Sequence, residues 1–466
     1  MKRTSLIFAG ILGLSLAAAS PPPADFDDQW PNWRGPDNTG MARTGAPVRW
    51  GTTQNVKWMT PIPGKGHSTP IIWKDRIYLT TAIPTSPIPD ATGRGPNRPP
   101  RRPRAERGGE GRPDPERRRR LRERFRRRMQ MTLVEHKFEV LCLDKETGKI
   151  LWRQTATKET PHEGYHRRYG SFASNSAATD GRHLYAFFGS RGLFVYDLDG
   201  NLAWKKNFGV KMRMRNGFGE GTAPVLHGDT LILNFDHEGQ SFIMALDKNT
   251  GIELWRRDRD ERSTWTTPLV TEHSGKTQVI VTGDNRVRSY DIANGDLIWE
   301  CGGLGLNPVP IPVRHRDTVI VMTGHRSPNM LAIRLDRTGD LTDTDAVLWT
   351  NQRGNAYTAC PVYADGKLYV LTDRGLISCF DADTGKPFYH QQRLPNPYQF
   401  KASPVGSGGR LYLASEQGDV IVLKMGEEYN VEAVNSMPDH FFISSPVIVD
   451  NQLFLRSQDA LYCISE

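Results

Sequence analysis

Several features common in other protein classes are absent from this chain. No two of its five cysteines are adjacent, and only 37% of its residues are hydrophobic. After the first twenty residues no apolar run is long enough to cross a membrane. An odd number of cysteines argues against a disulfide framework: Cys142 (VLCLD), Cys379 (ISCFD) and Cys463 (LYCIS) sit in similar apolar strands and read as free, buried thiols. Long helices are not expected either, because 44 Gly and 32 Pro in 466 residues call for many short elements joined by turns.

The N-terminus, MKRTSLIFAGILGLSLAAAS, has a basic start at Lys2 and Arg3, an apolar core from Leu6 to Leu16 and small residues at Ala17–Ala19. This is the pattern of a secretory signal peptide over residues 1–19. No cysteine lies near the cleavage site, against a lipoprotein, so the mature protein is expected to be exported, periplasmic or extracellular, with no transmembrane segment. The net charge of +9 does not describe its body. Residues 84–131 hold 16 Arg against 6 acidic residues, more than the whole excess, so the overall pI of 9.3 is no evidence for nucleic-acid binding.

What the chain does contain is repetition. DKETGKILW (144–152) returns as DKNTGIELW (247–255), with variants DLDGNLAW (197–204), DIANGDLIW (291–299), DRTGDLTDTDAVLW (336–349) and DADTGKPFY (381–389). Each follows an alternating apolar strand, which follows a strand pair such as TACPVYADGKLYVLT. Four short strands in about 42–50 residues is the period of a β-propeller blade. The Thr-Gly dipeptides suit tight turns. The aromatic that ends each unit can cover the seam to the next blade: Trp58, Trp152, Trp204, Trp255, Trp299, Trp349 and Tyr389.

The innermost strands number eight, placed at 68–73, 176–179, 222–226, 266–271, 309–313, 359–363, 402–406 and 444–449. The last unit stops after three strands. NVKWMTPIP (55–63) has the Trp58 ending but no strands before it, so it should complete the eighth blade. The expected organisation is an all-β, eight-bladed propeller of four-stranded antiparallel blades over 55–466, an N-terminal arm over 20–54, and an insertion over 84–131 inside the first blade.

The pattern TPxxxDGxxYxxxxxGxxxxxDxxTGxxxW resembles the PQQ-type repeat of eight-bladed propellers, as in quinoprotein alcohol dehydrogenases and the propeller lipoprotein of the outer-membrane barrel assembly machinery. WPNWRGPDNTG (30–40) and GFGEGTAPVLHGDTLILNFDHEG (217–239) are more similar still to exported PQQ-repeat proteins of unknown function, common in planctomycete-like bacteria. The enzymes of this family imply PQQ with Ca²⁺, a vicinal Cys-Cys pair, a facing Trp, carboxylate and amide ligands and a general-base Asp. Here no Cys-Cys occurs, and neither Trp265 nor Glu220 has a partner at family spacing. No catalytic residue, metal site or cofactor is therefore assigned. FDHEGQ (235–240) clusters Asp236, His237 and Glu238, but alternation points adjacent side chains apart and no second His follows, so solvated turn residues are expected.

Binding should occur on the face bearing the inter-blade loops. These loops are rich in aromatics, Arg and His on Gly-flexible backbones. The candidates there are His67, Arg215, Glu220, Arg262, Trp265, Tyr357, Lys401 and Phe441, each able instead to fill the neck of the channel. The insertion emerges on the same face. Its second half, ERRRRLRERFRRRMQM, reads as a basic helix with Leu121, Phe125 and Met129 stacked, suited to an anionic membrane surface, acidic glycan or acidic partner, or else as a solvated tail. Nucleic acid is a poor partner for an exported protein. The reading is a non-catalytic binding or assembly scaffold of the cell envelope, meeting protein or polysaccharide on the channel face. The alternatives are a PQQ-dependent oxidoreductase with a diverged site or a glycan-binding propeller.

Overall fold

A computed structural model describes residues 28–88 and 133–466, together with 114, 116, 119 and 120. The proposed signal peptide, residues 20–27 and most of the Arg-rich insertion lie outside these residues, including Leu121, Phe125 and Met129. Glu116, Arg119 and Arg120 are helical, and Arg120 pairs with Glu116 at 3.3 Å.

The described residues form eight sheets, each with a core of four antiparallel strands, and the eighth draws its strands from both ends of the chain. The first blade runs Ile71–Trp73, Arg76–Pro84, His136–Asp144 and Ile150–Glu159. Its two middle strands are almost wholly buried and its outer strand alternates. This follows from stacking: middle strands are covered by a neighbouring blade on both faces, so both sets of side chains are apolar. The eighth blade is completed from the other end of the chain. Val56–Pro61 pairs antiparallel with Ala460–Ile464, with Trp58 opposite Cys463 and Pro61 opposite Ala460. The fourth blade carries a fifth strand, Gly339–Asp340, parallel to Leu297–Cys301, which is the stretched repeat of the fifth blade folded back over its neighbour.

The repeat motif has a concrete geometry. Asp144 Oδ1 accepts from both the backbone N–H and the hydroxyl of Thr147 at 2.7 Å, and Asp247 and Asp381 do the same with Thr250 and Thr384 at 2.8 Å. Gly148 follows at φ +70, and a Cβ there would strike the ring of Trp58 from the preceding blade. The indole N–H of that Trp donates to the carbonyl just after the Asp: Trp58 to Lys145 (3.0 Å), Trp152 to Leu198 (3.2 Å), Trp255 to Ile292 (2.7 Å) and Trp349 to Ala382 (3.1 Å). Trp204 rests on Gly251 without that bond. Trp299 differs. Its N–H goes to Gln278 of its own blade at 3.1 Å, and Gln278 reaches Leu335 of the next. Tyr389 meets Tyr429 edge-on at 6.0 Å.

The innermost strands begin about three residues later than the sequence suggests, at Ile71, Val362 or Val405, for instance. The preceding Ser/Thr-Pro segments are extended, but proline removes a ladder donor there. Their hydrogen bonds run sideways to the next blade instead (Thr69 N–H to Ser176 Oγ, 2.9 Å).

Residues 28–50 cross the end of the channel opposite the inter-blade loops. Trp30 exchanges both backbone bonds with Ile72, Tyr363 donates to Thr39, Ala42 donates to Gly406, and Trp50 donates to Asn435 Oδ1. The pivot is Arg34, fully buried, whose guanidinium donates to the Pro361 and Pro404 carbonyls at 2.8 and 2.9 Å. Burial holds this guanidinium below the usual arginine range.

Candidate functional site

A cavity of about 350 Å³ lies on the propeller axis, open toward the inter-blade loops. Its floor includes Trp33 from the arm, whose ring lies 5.8 Å from the Arg34 guanidinium. Its waist is formed by the starts of the innermost strands, and its mouth by Tyr169, Phe218, Trp265 and Tyr357.

The eight sequence candidates separate here. His67, Glu220, Trp265, Tyr357 and Lys401 line the cavity; Arg215, Arg262 and Phe441 do not. His67 is buried, and burial beside Lys65 and Arg456 pushes its imidazole down to about 3, so the ring is neutral. Glu220 accepts from Ser190 N and Oγ, each at 2.7 Å, and from Arg191 at 3.0 Å. The Trp265 N–H donates to Gly219 O at 2.7 Å, fixing the ring in the wall. Tyr357 stacks on His325 with centroids 4.8 Å apart. The Lys401 ammonium pairs with Asp373 and lies 4.8 Å from the Tyr169 ring centroid.

Arg215 is instead a clamp between blades. It pairs with Asp284 at 2.9 Å and Glu238 at 3.3 Å and donates to Asn307. Arg262 is exposed, and Phe441 lies under the Arg168 guanidinium. Within the FDHEGQ cluster, Glu238, Gly239 and Gln240 are exposed, but Asp236 and His237 are not solvated. Asp236 and His237 are buried, Asp236 forming a fully buried ion pair with Arg259 at 2.9 Å, while Glu238 accepts from Ser263. Its side chains are divided between separate partners, and no group of three or more His, Cys, Asp or Glu among the described residues is arranged to hold a metal.

Trp33 was not among the candidates. It lies outside the repeats, so no blade alignment assigns it a place; the WPNWRGPDNTG signature was the signal available. Thr85 N–H donates to Glu135 O at 2.9 Å, so residues 85 and 135 lie side by side at the ends of the first blade's second and third strands, on the channel-mouth face.

The wall offers calcium one carboxylate, Glu220, and one side-chain amide oxygen, that of Asn175. That ion takes six to eight oxygen ligands. Both oxygens of Glu220 are already held.

A family profile described as "Outer membrane protein assembly factor BamB" matches residues 136–302, 191–343 and 337–428, which together span well over half the chain. The outer membrane protein assembly factor BamB of Yersinia pestis is 22% identical over 342 residues, covering 70% of this chain and 79% of that protein. The fold is similar to the crystal structure of BamB from Moraxella catarrhalis, with a TM-score of 0.51 and 12% identity over 69% of this chain and 90% of that one. It is also similar to the quinohemoprotein alcohol dehydrogenase of Comamonas testosteroni, with a TM-score of 0.57 and 10% identity over 94% of this chain and 80% of that one. With its repeats, closed ring and inter-blade Trp contacts, this chain belongs to the PQQ-like β-propeller family of BamB type.

Proposed function

We propose that this protein is an exported, non-catalytic binding or assembly scaffold of the bacterial cell envelope, engaging its partner at the channel mouth. One observation carries the reading: a preformed cavity, rimmed by aromatic and cationic loops, whose charged groups are already neutralised within the protein. Lys401 is paired with Asp373, Glu220 with Arg191, and His67 is neutral and buried. Such a surface suits recognition, because its aromatic rim is exposed to a partner while Lys401 and Glu220 are satisfied within the protein. The printed role of the matched relatives, outer-membrane protein assembly, agrees with an envelope site of action. The Arg-rich insertion, leaving the same face, supplies a contact for an anionic surface.

The test is affinity capture from envelope extracts with the mature protein, its Trp265→Ala variant and a form lacking residues 84–131, alongside calorimetric titration with PQQ with and without Ca²⁺. A defined envelope partner whose capture weakens in either variant is the expected result. Saturable PQQ uptake with accompanying dehydrogenase activity would replace this reading with an oxidoreductase.

A further inference from the structure

Four hydroxyls at the waist of the cavity accept hydrogen bonds and donate none among the described residues. Thr69 takes the N–H of Ser445 (3.4 Å), Ser176 that of Thr69 (2.9 Å), Thr267 that of Ala223 (3.1 Å) and Ser445 that of Ser403 (3.1 Å). All four residues line the cavity and are more than nine-tenths buried. Each hydroxyl can donate one bond, so the cavity carries a belt of unspent O–H donors. The Oδ1 of Asn175 adds an acceptor beside them, its amide N–H₂ being used on Thr222.

The belt lies between aromatic surfaces, with Trp33 on the floor and Phe218, Trp265 and Tyr357 at the mouth. An apolar occupant would strip water from the donors without replacing it, and each donor left unpaired would oppose binding. An ion would meet Lys401 and Glu220 already neutralised by Asp373 and Arg191. The remaining match is a neutral ligand with flat C–H faces and a rim of oxygen atoms. That is the chemistry of a sugar ring, which stacks on aromatics and exchanges hydrogen bonds at its edge.

We propose that the channel cavity is a carbohydrate-binding site for one or two neutral sugar rings. The proposal rests on the envelope-scaffold reading only for the source of the sugar, a glycan terminus or a free saccharide. It is tested by titrating the mature protein with glucose, maltose and maltotriose, with N-acetylglucosamine and its β-1,4-linked dimer and trimer, and on an array of neutral glycans, following tryptophan fluorescence. Saturable binding is expected. It should weaken about tenfold in Trp265→Ala and in Tyr357→Ala, the scale of one lost stacking contact, and the same sugar concentration should raise the Tm of the wild type more than that of these variants. Tighter binding of the trimer than of the single sugar assigns a glycan terminus; equal affinity assigns a free saccharide.

Absence of binding across the array overturns the proposal, as does binding of unchanged affinity in a natively melting Trp265→Ala protein. Envelope capture in the same buffer keeps the two readings apart. A partner captured without any sugar binding sinks the carbohydrate site alone, and sugar bound with no partner captured sinks the scaffold alone.

Discussion

The Ser403 hydroxyl accepts the backbone N–H of Cys360 at 2.8 Å, across the seam between the sixth and seventh blades. It is one link in a ring. The residues at this position in successive blades are Thr69, Ser176, Ala223, Thr267, Ile311, Cys360, Ser403 and Ser445, and the link recurs wherever the acceptor carries oxygen or sulfur, including Ile311 N–H to Cys360 Sγ at 3.4 Å. Ala223 and Ile311 cannot accept, and the ring is open at those two seams. Ala223→Ser should therefore offer Ser176 N–H an acceptor and stabilise by about 0.5–1.5 kcal/mol, while Ser403→Ala should cost about 1–3 kcal/mol. Urea midpoints decide the matter: a neutral Ser403→Ala together with a destabilised Ala223→Ser would refute the ring as a stabilising device.

The blades were legible in the sequence because their determinants are local. Asp, Thr and Gly at fixed offsets make the turn, and the Trp that follows meets the next turn by construction. The closing strand at 55–63 was readable for the same reason, as one Trp-terminated strand without a blade. Other features depend on distant parts of the chain. Trp33 reaches the cavity only because Arg34 is held by carbonyls from the sixth and seventh blades, more than 300 residues away. Arg215 has the composition of a binding residue, yet Asp284 and Glu238 satisfy it. The inner strands begin late because their first residues bond between blades, and no local pattern separates that geometry from a strand.

Arg34 and Gly40 form one structural unit. Gly40 sits at φ +77, and a Cβ on it would come within 1.9 Å of the Arg34 guanidinium. Arg34→Ala leaves two buried carbonyls without donors and a void behind Trp33; Gly40→Ala displaces the same guanidinium. Each should lower stability by roughly 2–4 kcal/mol. The double variant should lose much less than the sum, because both changes break the same contacts. Full additivity in denaturant titrations would show that the two act separately.

Acid should destabilise the fold through His67. Its folded pKa, about 3, lies below the unfolded value of 6.5, lowered by burial and by Lys65 and Arg456. Between these values the unfolded chain binds more protons, so stability is complete above pH 6.5 and is lost as pH falls toward 3. The slope from one such group is at most about 1.4 kcal/mol per pH unit. His136, His166 and His237 are also shifted down by burial and act in the same direction. His67→Gln should therefore flatten the fall in Tm between pH 7 and 4 without abolishing it. An unchanged pH profile in that variant would remove His67 from the account.

The ring closure can be separated from the arm. Val56–Pro61 covers the edge of Ala460–Ile464, Trp58 bonds the Lys145 carbonyl, and the Thr60 hydroxyl donates to Gly148 O at 2.7 Å, so this one strand both completes the eighth blade and seals its seam with the first. Removing residues 1–63 exposes that sheet edge and loses these contacts together, and the expected result is loss of a single cooperative transition, with association through the open edge. Removing residues 1–50 deletes Arg34 and Trp33 but keeps the strand. That form should remain a cooperatively folded propeller of reduced stability, with its channel open at the floor. Coincident fluorescence and circular-dichroism transitions for the shorter deletion, and their divergence for the longer, are the expected pair; a chain lacking residues 1–63 that melts like the full-length protein would mean that the eighth blade stands on three strands.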